Sequence, residues 1–236
     1  MALPKLNDVP KYELTIPSTG KTITFRPFLV KEQKILLMAM ETKDQKQMLQ
    51  AVSDTIDACL YDKINVRTLA TFDIEYIFTQ IRAKSVGEST EVSLICSECE
   101  HPTPVNINLE EIKVDTSEII DSLVVLNDQY TVQLKPPQYK KILDGTIKDA
   151  NSITDTVYGT VLMSLDKLIT EEEQIDFNDE TEEEIKGFIE SLNNEQFTKI
   201  MDYVNSLPTV SHDVDFKCEN CDKENKVTMR GLQDFF

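Results

Sequence analysis

Four of the five cysteines form two C-x-x-C pairs, Cys96-Ser97-Glu98-Cys99 and Cys218-Glu219-Asn220-Cys221. Thiols at this spacing do one of two things. They cycle between dithiol and disulfide, or as thiolates they hold a metal. A redox pair opens a helix, whose N-terminus lowers the thiol pKa. Here each pair is followed by polar residues and then an alternating apolar segment, Val105 and Ile107 after the first, Val227 and Met229 after the second. That pattern is a knuckle at a hairpin turn, which presents two sulfurs. Two knuckles supply the four thiolates of a tetrahedral zinc site. The expected ligands of one structural Zn2+ are therefore Cys96, Cys99, Cys218 and Cys221, in a zinc-ribbon-like arrangement. Two separate disulfides are the weaker alternative in a reducing compartment.

Other reactive side chains are few. Cys59 sits beside Leu60 on the apolar side of a helical stretch and reads as a small core residue. His101 follows the first knuckle and could replace a ligand, but four cysteines already complete the set. His212 precedes the second knuckle and reads as a surface residue. Only these two histidines offer ordinary acid–base chemistry near neutral pH. The sequence has no G-x-S-x-G, P-loop or G-x-G-x-x-G. The runs Glu171-Glu172-Glu173 and Glu182-Glu183-Glu184 read as solvated helix faces. A closed four-cysteine zinc leaves no position for water, so it serves folding rather than hydrolysis. The expectation is a binding or assembly protein, not an enzyme.

Composition narrows the partners. The 236 residues include 24 basic and 42 acidic side chains, a net charge of −18. Nucleic-acid binding needs a surplus of cations to displace phosphate counterions, so no nucleic-acid partner is expected. Acidity suits solubility and docking onto a basic surface. No apolar run reaches the roughly 20 residues that span a bilayer. Residues 1–10 are polar, are broken by two prolines and do not read as a signal peptide. The compartment expected is the reducing cytoplasm.

The knuckles need elements to hold them. Alternation over Tyr12–Ile16 and Thr22–Arg26, around the Pro17-Ser18-Thr19-Gly20 turn, predicts a β-hairpin over 12–27. Helices are expected over about 30–41 and about 44–61, the second with Met48, Val52, Ile56 and Leu60 on one face. A third starts near Thr71 and lines up Ile74, Ile77, Phe78 and Ile81. The period then falls to two around the first knuckle. The second half repeats this order: a hairpin around Asn127-Asp128, a helix from about Gln138, and another around 152–168. A last helix from Asn194, with Phe197, Ile200, Met201 and Val204 on one stripe, precedes the second knuckle.

Cys218 lies 122 residues after Cys96 and Phe197 lies 123 after Ile74, whereas Lys135 lies only 109 after Arg26. The second half thus carries an extra segment, placed between Thr170 and Leu192. It reads as one acidic amphipathic helix that opens on a Thr181–Glu184 capping box and puts Ile185, Phe188, Ile189 and Leu192 on one face. The expected fold is α+β: two related halves, each β-hairpin–helices–CxxC hairpin, joined at the shared zinc. The boundaries are 1–11 for an N-terminal arm, 12–112 for the first unit, and 113–236 for the second with its insertion. Chance likeness between two α+β stretches is the alternative to duplication.

The stretch YELTIPSTGKTITFRPFLVKEQKILLMAMET, Tyr12 to Thr42, resembles the baseplate hub and hub-assembly proteins of T4-type tailed bacteriophages. The matching features are the I-P-S-T-G-K turn, F-R-P-F-L-V-K-E and K-I-L-L-M-A. The two knuckles and the overall length are similar as well. The resemblance implies a non-catalytic role in building the hub of the tail baseplate, in contact with other hub or tail proteins. It implies a location in the virion baseplate, and in the host cytoplasm during assembly. A transient chaperone absent from the mature virion is the alternative. Phe235 and Phe236, at the C-terminal end, either fold back onto this protein's own core or are aromatic anchors for a hub partner, a tail without a role being the third reading.

Overall fold

Turn residues and apolar periodicity set the elements seen in the computed structural model, which describes residues 9–116, 120–145 and 153–231. In chain order they are strands β1 (Tyr12–Thr15) and β2 (Thr22–Phe25), helices α1 (Val30–Thr42), α2 (Gln45–Cys59) and α3 (Thr71–Val86), then strands β3 (Ser89–Ile95), β4 (Pro102–Asn108) and β5 (Lys113–Val114). They continue with β6 (Leu123–Val125), β7 (Thr131–Leu134), α4 (Tyr139–Leu143), α5 (Ile153–Ser164), β8 (Leu165–Ile169), β9 (Gln174–Asp176), α6 (Glu182–Ser191), α7 (Asn194–Ser206), β10 (Val210–Lys217) and β11 (Glu224–Arg230). The protein is α+β, with small antiparallel sheets.

Packing divides the chain into two compact units: residues 1–66, 72–115 and 209–236 in one, and 67–71 with 116–208 in the other. The stretch that carries the second knuckle therefore packs with the first.

In the first unit, β1 and β2 pair antiparallel around a turn where Gly20 takes φ +66°, a conformation a side chain would strain. Asp73 of α3, fully buried, fastens that turn. It accepts the Ser18 N–H at 2.9 Å and the Ser18 hydroxyl. The α3 stripe expected from the sequence, Ile74, Ile77, Phe78 and Ile81, is buried throughout. A hydrogen bond to a charged group contributes about 1.5–3 kcal/mol. Asp73→Ala is therefore expected to destabilise the protein by about 2 kcal/mol. Chemical denaturation measures this, and an unchanged midpoint would show the clamp to be idle.

A second tie joins β2 to α1. Glu32 is buried and its carboxylate meets the Arg26 guanidinium at 2.9 Å and the Leu29 N–H at 2.8 Å. Burial pushes the Glu32 carboxyl up, but Arg26, Leu29 and Lys31 together hold it below its ordinary value. Arg26 also donates to the Ala58 carbonyl and approaches Cys59 Sγ at 3.8 Å. Cys59 is buried in this core, and burial pushes its thiol up to about 11. It is an inert packing residue.

A further core of this unit gathers Ala83, Ile107, Leu109, Ile112, Val210, Val214 and Met229. It cements the β3–β4 hairpin, the β10–β11 hairpin and α3. β5 adds to the edge of β10, with Val114 opposite Val210.

The second unit is a four-stranded sheet in the order β6-β7-β8-β9, packed against helices. Its core includes Val132, Leu134, Val161, Leu165, Ile189, Ile200 and Tyr203. All four apolar residues of the expected acidic helix, Ile185, Phe188, Ile189 and Leu192, pack here, as does the α7 stripe Phe197, Ile200, Met201 and Val204. The capping box forms: Thr181 N–H reaches Glu184 Oε2 at 3.0 Å and Glu184 N–H returns to Thr181 Oγ1 at 3.3 Å.

One expectation needs correcting. The helix anticipated over 152–168 stops at Ser164, and Leu165–Ile169 is a strand paired with β7, Leu168 opposite Val132. The run Val161-Leu162-Met163-Ser164-Leu165 has no clear period, so pairing to an exposed edge decides its conformation rather than local pattern. The inserted segment likewise is not a helix alone: it holds one strand, β9, paired with β8, and then α6.

Candidate metal centre

Each C-x-x-C lies at the tip of a long antiparallel hairpin. β3 and β4 pair from Ser89 opposite Asn108 to Ile95 opposite Pro102, and β10 and β11 pair from Ser211 opposite Arg230 to Lys217 opposite Glu224. The two tips repeat each other bond for bond. Cys96 N–H donates to the His101 carbonyl at 3.1 Å and Cys218 N–H to the Lys223 carbonyl at 2.8 Å. Glu100 N–H returns to the Cys96 carbonyl, and Asp222 N–H to that of Cys218. Glu100 and Asp222 take left-handed φ of 57° and 59°. Glu98 N–H faces Cys96 Sγ at 3.5 Å, and Asn220 N–H faces Cys218 Sγ at 3.4 Å.

The tips meet sulfur to sulfur. Cys96 Sγ lies 3.6 Å from Cys221 Sγ, and Cys99 Sγ 3.6 Å from Cys218 Sγ. All four sulfurs fall within 4.8 Å of one another, and they could hold a metal ion. A metal–thiolate distance of about 2.3 Å in a tetrahedron requires sulfurs about 3.8 Å apart, so the cluster has the right size. Neither pair opens a helix, as a redox C-x-x-C does; each runs on through a turn into a strand.

The surroundings favour thiolates. The backbone N–H groups of Cys99 and Glu98 pull the Cys96 thiol down to about 6. At Cys218, burial opposes ionisation, but the N–H groups of Cys221 and Asn220 win and the thiol is lowered. Cys221 is the counterweight. The Lys223 N–H lowers it, yet the crowding sulfurs, Cys99 first, drive it up to about 12. Four thiolates this close repel one another unless a cation lies among them.

Sequence reasoning missed Asn225. Its side chain is buried and straddles the two knuckles. Oδ1 accepts Ser97 N–H at 3.0 Å and Ser97 Oγ at 2.8 Å, while Nδ2 donates to Lys223 O and faces Cys96 Sγ at 3.6 Å. Nothing local distinguishes Asn225 in the sequence, because its partners on the other knuckle, Ser97 and Cys96, lie 128 and 129 residues away. His101 contributes its backbone carbonyl to the knuckle and is not among the clustered groups; His212 lies half-buried on β10.

Comparison with known proteins finds sequence similarity along nearly the whole chain. The baseplate hub assembly protein gp26 of Enterobacteria phage T4 is 26% identical over 227 residues, which cover 96% of this chain and 98% of that protein. No solved structure matches. The family model described as T4 bacteriophage base plate protein matches residues 9–236, both knuckles included, and the chain therefore belongs to that family.

Proposed function

We propose that this chain is a structural or assembly component of the phage tail baseplate hub, that it acts by protein–protein contact and carries out no catalysis, and that one structural Zn2+ on Cys96, Cys99, Cys218 and Cys221 stabilises it. The observation that carries the hub reading is the family match across residues 9–236. The zinc reading is supported by the four sulfurs at tetrahedral spacing on two matched knuckles. Four thiolates fill the coordination sphere, so the ion would fasten the two hairpin tips together and offer no site to a substrate. Work would take place in the host cytoplasm during assembly and in the virion baseplate afterwards. Among the described residues, no helix is long and apolar enough to cross a membrane.

An affinity pull-down from infected cells tests the hub reading. It is expected to recover other baseplate or tail proteins; recovery of none would sink the idea. The printed name of the phage T4 relative, a hub assembly protein, favours a second reading, a chaperone that leaves before maturation. Mass spectrometry of purified particles separates the two: presence marks a subunit, absence a chaperone.

We also propose that residues 12–109 and 123–230 are a duplicated unit, with 1–11, 12–112 and 113–236 as its sequence boundaries. The repeated order of hairpin, helices and knuckle supports this, as do the matched bonds at the two tips. Phe235 and Phe236, the proposed anchors, lie outside the described residues. Deleting them is expected to leave the melting temperature unchanged and to abolish hub assembly. A lower melting temperature in the isolated protein would mean instead that they pack on their own chain.

A further inference from the structure

The two knuckles share a backbone but not their side chains. Counted from the first cysteine of each, Ser97 corresponds to Glu219, Glu98 to Asn220, Cys99 to Cys221 and Thr103 to Asn225. The backbone treats both halves alike, with the Glu98 N–H facing Cys96 Sγ and the Asn220 N–H facing Cys218 Sγ. The carboxamides break this symmetry. Asn225 Nδ2 lies 3.6 Å from Cys96 Sγ, and Asn220 Nδ2 lies 3.6 Å from Cys99 Sγ. Both amides come from the second knuckle, and both serve sulfurs of the first. Asn225 also binds Ser97 and so docks one tip on the other.

The first knuckle returns neither bond. Glu98, at the position of Asn220, is exposed, and a carboxylate offers no donor. Thr103, at the position of Asn225, is buried, and its hydroxyl makes no hydrogen bond among the described residues. No side-chain amide or hydroxyl reaches Cys218 or Cys221 among the described residues. Exposure differs as well: Cys96 and Cys218 are buried, Cys99 is half-buried and Cys221 is exposed. An N–H···S bond draws charge from a thiolate and fixes its direction, and outer partners of this kind set how tightly a ligand holds its metal. A thiolate without one keeps its electron pair available, and access then decides which sulfur reacts. Cys221 joins the greatest exposure to the lack of a carboxamide.

We propose that Asn220 and Asn225 are positioning residues that shield the sulfurs of the first knuckle, and that Cys221 is the corner of the metal centre open to thiol-reactive electrophiles. The inference rests on the metal reading of the four cysteines. With an alkyl halide such as iodoacetamide, the Cys221 sulfur bonds to the methylene carbon, the carbon–iodine bond breaks, and iodide leaves with the electron pair. The thiolate becomes a neutral thioether and no longer brings charge to a cation. The Asn225–Ser97 bonds keep the tips docked, so the cage opens at one corner.

Full-length protein, its metal content measured first, is treated with substoichiometric iodoacetamide, and the alkylated cysteine is located by peptide mass spectrometry. Cys221 is expected to react at least tenfold faster than any other cysteine, with buried Cys59 as the control. Asn220→Glu copies the first knuckle's residue into the second. It is expected to speed alkylation at Cys99 at least fivefold. Asn225→Thr copies Thr103, and is expected to weaken zinc binding by about 10–100-fold against a chromophoric chelator. In cobalt(II)-substituted protein both variants are expected to move the thiolate-to-metal charge-transfer band to longer wavelength, because a sulfur without its N–H partner gives up electrons more easily. A merely structural loss weakens binding without moving the band. Should Asn225→Thr fail to fold, Asn220→Glu, at an exposed position, still carries the alkylation and cobalt readouts. First alkylation of metal-loaded protein at Cys96, Cys99 or Cys218 would overturn the proposal and leave the metal reading standing. So would an unchanged Cys99 rate and an unmoved band in Asn220→Glu. Folded protein that binds no metal removes both.

Discussion

Purified protein is expected to carry one equivalent of zinc, and Cys96→Ser or Cys218→Ser to give insoluble or loosened protein. Structural zinc sites supply about 10–16 kcal/mol of apparent binding free energy in small peptides at neutral pH. A whole domain is stable by about 5–15 kcal/mol. Loss of one ligand removes much of the first quantity from the second. It also leaves three cysteines crowded within 4.8 Å of one another without the four-thiolate set that holds the cation. The β3–β4 and β10–β11 hairpins meet sulfur to sulfur at their tips, so the loss should be felt in both. Elemental analysis with a thermal melt, before and after chelation, measures the effect. Cys59→Ala is the control: it sits in a separate core and should leave metal content unchanged. Folded protein with near-zero zinc content would refute the assignment. Iron in place of zinc would keep the ligands and change the metal, because four thiolates in a tetrahedron also suit iron.

Glu75→Gln is expected to stabilise the protein at pH 8 and to flatten its pH profile. Glu75 lies on α3 and accepts the Val210 N–H at the start of β10. Burial pushes its carboxyl from the ordinary 4.5 up to about 7, with the Val210 N–H pulling only partly back. In the unfolded chain the proton leaves near pH 4.5; in the folded protein it stays until about 7. Between these values the folded state holds more protons, so stability falls as pH rises. The full difference amounts to about 3 kcal/mol, present below the lower value and lost above the upper. Glutamine keeps the acceptor oxygen for Val210 and has no charge to desolvate. Denaturant midpoints at pH 4.5 and pH 8 should therefore differ for the native protein and converge for the variant. The same slope in both would show that Glu75 is not the titrating group.

Local pattern made the site legible. Two C-x-x-C pairs, each set between segments of period two, announce knuckles on hairpins without reference to any neighbour. The stripes on α3, α6 and α7 could be read for the same reason: side chains at helical spacing report which face meets a core. The Thr181–Glu184 box lies within one helical turn and is equally local. The strand β8 escaped because its apolar run fits helix and strand alike, and only the open edge of β7 decides between them. Asn225 and the Asp73–Ser18 clamp escaped because each depends on partners 55 or more residues away.

The sequence by itself determined the four thiols, the hairpins that bear them and the helical faces, because periodicity and turn chemistry act over a few residues. Only the tertiary structure decided that the sulfurs at positions 96 and 221 stand 3.6 Å apart, that Glu75 is partly withdrawn from water, and that the apolar flank of α1 is left uncovered. Each of these depends on which distant surfaces come together, and burial and desolvation exist only once they have.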